Sequence, residues 1–258
     1  MKPYVHIAAW SAAALLTILA VPAASAQPAP APAPGKGPLA CGQRMIPLQV
    51  GNYWVYSPIG SAVPDRISLK VVEVAPTKDK GTTQIKVEET FKKRTVTTVW
   101  RCSAAGLVIP PDSFYFAGEP GGGVDIALNT TSRDSVTFLP DDQLVADTPW
   151  IEIIKADAIR AAVGGAKINH APAKIELERH CLVKGSDEHI GQLGQWNATK
   201  VTFELRGRAM VDNEKMDIPI KRPGAVWLQR GLGVVKIDDA FERSWDLVES
   251  SFIAQKIP

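Results

Sequence analysis

The sequence lacks the short motifs that mark the common enzyme classes. It has no Gly-x-Ser-x-Gly stretch, which would place a serine nucleophile on a sharp turn, and no dinucleotide-binding glycine fingerprint. The glycine cluster at residues 121–123 is not followed by the Lys-Ser or Lys-Thr pair of a phosphate-binding loop. With no convincing catalytic motif, we predict that the protein is not an enzyme and uses no cofactor.

A strong excess of charge of one sign is also absent. The 258 residues carry 29 Lys and Arg against 27 Asp and Glu, a formal net charge of +2, so nothing favours binding to nucleic acid. Beyond residues 7–21 there is no second long apolar run, and we expect no transmembrane span in the mature chain.

The N-terminus has the features of an export signal. Lys2 precedes the apolar run at residues 7–21, and Ala24-Ser25-Ala26 fits the small-residue rule for cleavage. The run is short for a membrane anchor, which needs about 20 residues. We therefore predict a signal peptide over residues 1–26, a Pro/Ala-rich linker over residues 27–40 and one folded domain over residues 41–258, in a periplasmic or secreted protein.

Cysteine is scarce, with only Cys41, Cys102 and Cys181. In an oxidising compartment we expect one pair and one left over, and three pairings can be drawn. We favour Cys41 with Cys102, because both flank predicted strand ends, and expect Cys181 to be a small buried hydrophobe. Lipidation of Cys41 is a weaker alternative, since Pro38 is a poor residue three positions before a lipidated cysteine.

Alternation of apolar and polar residues dominates the rest of the chain. Val201, Phe203 and Leu205 alternate with polar residues, a period that predicts antiparallel strands with one face on a core. Gly231-Leu232-Gly233, between two β-prone runs, predicts a hairpin. An Ala-rich stretch at residues 155–163 predicts a short helix, which could instead begin earlier, at Pro149. We predict a mainly β fold: a single curved antiparallel sheet, or half-barrel, with one short helix.

Residues 110–123 break the alternation with prolines and glycines around Phe114, Tyr115 and Phe116. This composition predicts a long loop with an aromatic tip. The favoured interpretation is that the aromatic side chains fold back onto the core. The alternative is an interaction loop, because exposed aromatic residues often mark contact sites.

Other residues of chemical interest have simpler explanations. One cluster has the residue types of a metal site: His180, Cys181, Asp187, Glu188 and His189. Adjacent strand residues point to opposite faces, so we favour a solvated hairpin with a buried cysteine and predict no metal. Paired acidic residues are interpreted as solvated strand ends: Glu88-Glu89, Asp141-Asp142 and Asp238-Asp239.

Three blocks of sequence stand in a recognisable order. Pro47-Leu48 precedes the run Gly-Asn-Tyr-Trp-Val-Tyr at residues 51–56, a middle block covers residues 183–201, and Trp227 precedes residues 231–236. This order resembles a group of uncharacterised bacterial envelope proteins. Their pattern is an opening Pro-Leu-x-x-Gly-x-x-Trp-x-Tyr, a middle hairpin around a glycine, and a closing Trp followed by Gly-x-Gly-x-Val. The resemblance spans most of residues 46–250, but residues 192–194 read Gln-Leu-Gly where the pattern usually has Pro-Ala-Gly.

The resemblance implies a half-barrel similar to the periplasmic lipoprotein and lipid carriers, in which a curved sheet wraps an apolar hollow. Our first hypothesis is a non-enzymatic carrier of a lipid or another apolar small molecule. The candidates for the lining are Trp54, Phe203, Leu205, Trp227 and Leu247. The second hypothesis is a structural or interaction module that contacts another envelope protein, and a secreted hydrolase is the least favoured. The simplest alternative for the tryptophans is a place in the core.

Overall fold

The computed structural model of the protein describes residues 39–60, 65–92, 94–111, 113–117, 127–134, 136–163, 166–168, 173–211, 216–239 and 242–253. The predicted signal peptide and all but the last two residues of the predicted linker lie outside the described residues. Of those two, Ala40 is buried and donates its backbone N–H to the carbonyl oxygen of Leu48 at 3.1 Å.

Antiparallel strands form one continuous curved sheet, which confirms the mainly β prediction. In chain order the strands are β1 (Tyr53–Pro58), β2 (Ile67–Pro76), β3 (Thr83–Phe91), β4 (Arg94–Ser103), β5 (Gly106–Val108), β6 (Ala127–Asp134), β7 (Pro149–Val163), β8 (Ala166–Ile168), β9 (Ala173–Gly191), β10 (Gly194–Val211), β11 (Met216–Gln229), β12 (Gly233–Asp238) and β13 (Ser244–Ser250). Their order across the sheet is β5-β4-β3-β2-β1-β13-β12-β11-β10-β9-β7-β6, and β8 pairs with β7.

The predicted helix at residues 155–163 is wrong, because this stretch belongs to β7. Strand β7 hydrogen-bonds to β6 on one side and to β9 on the other. Alanine gains at most about 0.7 kcal/mol per residue from helix propensity, a weak preference that pairing on two sides overrides. The helical elements of the described residues are instead a 3₁₀ turn, Ala40–Gly42, and one turn of helix α1, Phe114–Ala117.

The predicted hairpin around residues 231–233 is confirmed. Strand β11 pairs with β12, and the turn between them contains Gly231 and Gly233 at φ angles of 80° and 103°. A left-handed backbone is open to glycine without steric cost, so these two residues allow the chain to reverse.

The core lies on the inner, concave face of the sheet. Alternate residues of the central strands are buried there, among them Leu69, Val87, Val201 and Ile237. A disulfide joins Cys41 to Cys102, the pairing predicted from the sequence, with the two Cα atoms 6.0 Å apart. It ties the first described residues to β4.

The segment that precedes β7 pairs with β5, the strand at one end of the strand path. Leu107 of β5 donates its N–H to the carbonyl oxygen of Phe138 at 2.8 Å, and Phe138 donates back to Leu107 at 3.0 Å. Among the described residues, neither helix approaches the length needed to span a bilayer.

Candidate functional site

The predicted lining residues are all buried, and they do not share one surface. Trp54, Phe203, Leu205 and Leu247 lie on the inner face of the sheet, each no more than 8% exposed. Trp227 is 5% exposed but pairs across the sheet with lysines on the opposite, outer face. The described pockets of the protein are lined by other residues.

The inner face is filled by two aromatic side chains of α1. Phe114 packs its ring 5.1 Å from that of Tyr56 and 5.4 Å from that of Trp245. Tyr115 packs edge-on against Trp100, at 5.4 Å. Both are at most 3% exposed, so they fold back onto the core and do not form an exposed contact tip. The Phe116 side chain lies outside the described residues.

A buried carboxylate fixes α1 in this position. Glu89 of β3 accepts hydrogen bonds from the hydroxyls of Thr98 and Ser113, at 2.7 and 2.6 Å, on its Oε1 atom. Its Oε2 atom accepts the backbone N–H of Phe114 at 2.7 Å. Hydrogen bonds to a carboxylate are about twice as strong as neutral ones, so Glu89 anchors the start of the helix.

The prediction that Glu89 is a solvated strand end is wrong, because Glu89 is fully buried. The same holds for Asp239, which is 4% exposed and binds the Arg243 side chain at 2.9 Å. The sequence does contain a signal for the burial of Glu89. Ile85, Val87 and Glu89 alternate along β3 and share one face, so the carboxylate continues a row of core positions.

Two tyrosine hydroxyls complete the buried network beneath α1. Tyr56 donates to the carbonyl oxygen of Val234, and therefore accepts from Tyr115, both at 2.9 Å. Burial raises the pKa of both hydroxyls well above the usual value for tyrosine, so both stay neutral. They act as structural links, because a neutral, fully engaged phenol is a poor acid or base.

A second buried network holds the segment that precedes β7. Arg179 of β9 lies 3.0 Å from the carboxylate of Glu152 on β7 and donates to the carbonyl oxygen of Thr137 at 2.7 Å. Thr137 donates its hydroxyl to Glu152 at 2.8 Å. Burial raises the pKa of the nearby Cys181 thiol to about 11, although Arg179 opposes that shift, so the thiol remains protonated and unreactive.

The residues of the metal-like cluster separate in the fold. His180 binds Glu178 at 2.9 Å, whereas Cys181 points to the inner face. His189 lies on the end hairpin, which we define as residues 186–199 of β9 and β10. Within the described part of the chain, no three His, Cys, Asp or Glu side chains are grouped to hold a metal ion.

The end hairpin folds over the outer face of the sheet. Gly185, at a φ angle of 93°, and a register shift at Lys200 mark its base, and β9 reaches β12 and β13. Trp227 donates its indole N–H to Asp187 at 2.9 Å, and the ammonium groups of Lys200 and Lys236 lie 4.7 and 4.3 Å from its ring centre. Trp227 therefore packs between the hairpin and the sheet.

Two carboxylates at the end hairpin have pKa values that are shifted in opposite directions. The hydrogen bond from Trp227, and then that from Lys200, lowers the pKa of Asp187. Burial raises the pKa of Asp246, although His189 opposes the shift. The Nε2 atom of His189 lies 3.0 Å from Asp246, and this contact lowers the pKa of Asp246 by less than burial raises it.

Comparisons with known proteins bear on the fold alone. No family profile matches the sequence. No curated protein matches it either. One similar crystal structure is of a Bacteroides fragilis protein that is inferred to be exported and is described as having a YmcC-like fold. The alignment covers 80% of this chain and 97% of that protein, with a TM-score of 0.51 and 14% sequence identity. The fold resembles the YmcC-like fold. A protein from Parabacteroides distasonis, provisionally classed as a lipoprotein, aligns with 81% of this chain and 98% of its own at a TM-score of 0.48 and 16% identity.

Proposed function

We propose that the protein is an exported, non-enzymatic module of the cell envelope that acts by contacting another protein. The observation that carries this proposal is the filled inner face of the sheet. Phe114 and Tyr115 occupy the place that an apolar guest would need, and Glu89 anchors them there. The four candidate lining residues on the inner face are each at least nine-tenths buried. Their burial favours a protein that contacts a partner over one that carries an apolar ligand.

The long strands of the sheet support contact with a partner. Strand β10 has 18 residues and so extends about 60 Å, whereas Leu205 is its last residue in the described core. Beyond Leu205, β10 continues to pair with β9 as far as Val211 and with β11 as far as Met216. We call residues 173–176, 208–211 and 216–219 the distal arm, and propose that it carries the contact surface.

The experiment removes part of the arm and leaves the core strands in place. Gly207 and Ile220 are cross-strand partners, so an Asn-Gly turn in place of residues 208–219 rejoins β10 and β11 in register. Chemical cross-linking in intact host cells, followed by affinity purification, compares this variant with the parent. We expect one or more envelope proteins to cross-link to the parent and not to the shortened variant.

The matched control is Lys86→Gln, which removes an exposed charge on β3, far along the strand order from the arm. This variant should retain every cross-link of the parent. Circular dichroism and thermal unfolding establish that both variants fold. Cross-links that persist unchanged in a folded, shortened variant would refute the role of the arm.

A further inference from the structure

The distal arm has two chemically different faces. Strand β10 pairs with β9 and β11 without a bulge from Val201 to Val211, so the inner face of the core continues unbroken into the arm. Every inner position of the arm holds an apolar residue, and these are Ala173, Ile175, Ala209, Val211, Met216 and Ile218. The outer positions include charged residues of both signs, such as Lys174 and Asp217. A sheet with this division of residues is expected to cover its apolar face.

The inner face begins to open where the arm leaves the core. Arg179 of β9 is 3% exposed, whereas Leu177, the next inner residue towards the arm, is only partly buried. Strand β7 widens the face, because Ala156 and Ala158 pair with the inner residues of β9. The face of the arm is therefore four strands wide, formed by β7, β9, β10 and β11.

Both edges of the arm discourage the pairing of a further strand. Among the described strands, β12 pairs with β11 over residues 225–229 alone, so residues 216–224 form an edge. Pro219 and Pro223 lie on this edge and lack the N–H group that a pairing strand would need. On the other side of the arm, β6 has two register shifts against β7, and such bulges interrupt pairing at the edge of a sheet. A partner is therefore expected on the face of the arm and not at its edges.

The size and charge of the inner face argue against two kinds of partner. Strand spacing and the rise from Leu205 to Val211 give a face of about 20 Å by 20 Å, or about 400 Å². Two copies packed face to face would bury about 800 Å² in total, less than the roughly 1,200 Å² of a stable dimer. The arm has no aromatic residue, and its two cationic and two anionic residues balance, unlike a surface that binds a bilayer.

We propose that the inner face of the distal arm binds an amphipathic helix of the partner protein. A helix satisfies its own backbone hydrogen bonds, whereas an extended segment on the face of a sheet would leave its N–H and C=O groups unpaired. A helix is about 10 Å in diameter, and a face about 20 Å long accommodates about 13 helical residues. This chain already covers part of the same inner face with a helical turn, α1. The inference rests on the proposed function, to which it adds the kind of partner surface.

Photo-cross-linking from opposite faces of one strand tests the inference. The cross-linker p-benzoylphenylalanine replaces either Ile218, on the inner face, or Asp217, on the outer face, in the full chain expressed in its host. Consecutive strand residues lie on opposite faces at the same distance from the core, so each position is the control for the other. We expect an envelope protein to cross-link to position 218 and not to position 217. Mass spectrometry should map the cross-link to a segment with apolar residues at spacings of three and four.

A charge placed on the inner face should weaken this cross-link. Ile175→Glu, two strands away from position 218 on the same face, should lower the cross-link yield at position 218 about tenfold, because docking would bury the new carboxylate. Lys174→Glu, on the outer face, should change the yield by less than about twofold. Circular dichroism and thermal unfolding establish that both variants fold.

The outcomes distinguish this inference from the proposed function. Cross-links from position 217 alone, or to a segment whose apolar residues alternate with period two, would overturn the helix and leave contact through the arm standing. Cross-links from position 218 to a second copy or to a lipid would overturn it, as would an unchanged yield in Ile175→Glu. The absence of cross-links from both positions would refute the role of the arm as well.

Discussion

The indole nitrogen of Trp54 donates a hydrogen bond to the carbonyl oxygen of Leu232 at 2.5 Å. Two residues further along the chain in both segments, the Tyr56 hydroxyl donates to the carbonyl oxygen of Val234. The opening and closing blocks of the sequence pattern are therefore in direct contact across the core. Their aromatic and glycine residues are explained by this packing, without a ligand.

A side chain at position 233 should destabilise the protein, because Gly233 packs directly against the indole ring of Trp54. Its φ angle is 103°, and a Cβ atom there would lie 2.9 Å from the Trp54 indole nitrogen. We expect Gly233→Ala to lower the free energy of unfolding by about 2–4 kcal/mol, through backbone strain and the clash together. Urea unfolding measures this change.

Gly231→Ala is the matched control. Gly231 also has a left-handed backbone, at 80°, but nothing lies within 4 Å of the position of its Cβ atom. The expected cost is about 1–2 kcal/mol, from backbone strain alone. Equal losses in the two variants would show that the contact with Trp54 does not constrain Gly233.

Glu89→Gln should loosen α1. An amide has one acceptor oxygen where the carboxylate has two, so it cannot accept both hydroxyls and the Phe114 N–H. We expect a loss of about 2 kcal/mol in stability and faster hydrogen exchange at the Phe114 amide. Ser113→Ala removes one hydroxyl and should cost less, about 1 kcal/mol, with the Phe114 amide still protected. Unchanged exchange in Glu89→Gln would contradict the anchoring role.

Reduction of the disulfide should destabilise the protein strongly. The bond between Cys41 and Cys102 closes a loop with a sequence separation of 61 residues. Loop-closure entropy for that length corresponds to about 4 kcal/mol. We expect a double Cys→Ser variant to unfold at a markedly lower urea midpoint than the oxidised parent. A midpoint equal to that of the parent would mean that the other contacts of the first residues suffice.

The pH dependence of stability should separate Asp246 from Asp187. Burial raises the folded-state pKa of Asp246 above the unfolded value of about 3.9. The protonated carboxyl therefore contributes fully to stability below the unfolded pKa. This contribution is lost as the pH rises through the folded-state pKa. The Asp246→Asn variant avoids that loss. The free energy of unfolding of the variant, relative to that of the parent, should therefore increase from pH 4 to pH 7.

Asp187→Asn should behave in the opposite way. The hydrogen bond from Trp227 lowers the folded-state pKa of Asp187, so this carboxylate stabilises the protein above the unfolded pKa and ceases to do so as the pH falls through the folded value. The variant should be less stable than the parent at pH 7, with a difference that shrinks on acidification. Urea unfolding between pH 3 and pH 7 measures both variants, and parallel profiles would contradict the assignment.

Much of the fold could be predicted from the sequence, because a sheet with one buried face imposes alternation. Val201, Phe203 and Leu205 do lie on one face, and the glycines at 231 and 233 form the turn. The helix prediction at residues 155–163 is wrong because alanine is compatible with both helix and strand. Pairing with β6 and β9, which a local pattern does not contain, decides between them.

The candidate site was less predictable, because it depends on contacts between residues far apart in the chain. Trp54 and Trp227 look alike in the sequence, yet they lie on opposite faces. The position of Phe114 depends on Glu89, 25 residues away, and on Tyr56, further still.

The central claim is that the inner face of the sheet is filled by Phe114 and Tyr115 and holds no guest. Native mass spectrometry of the exported protein, purified from its own host without detergent, tests this claim most directly. We predict the mass of the processed chain with one disulfide, and no lipid in an organic extract of the same sample. A stoichiometric adduct that is released as a lipid or another apolar molecule would contradict the claim and restore the carrier hypothesis.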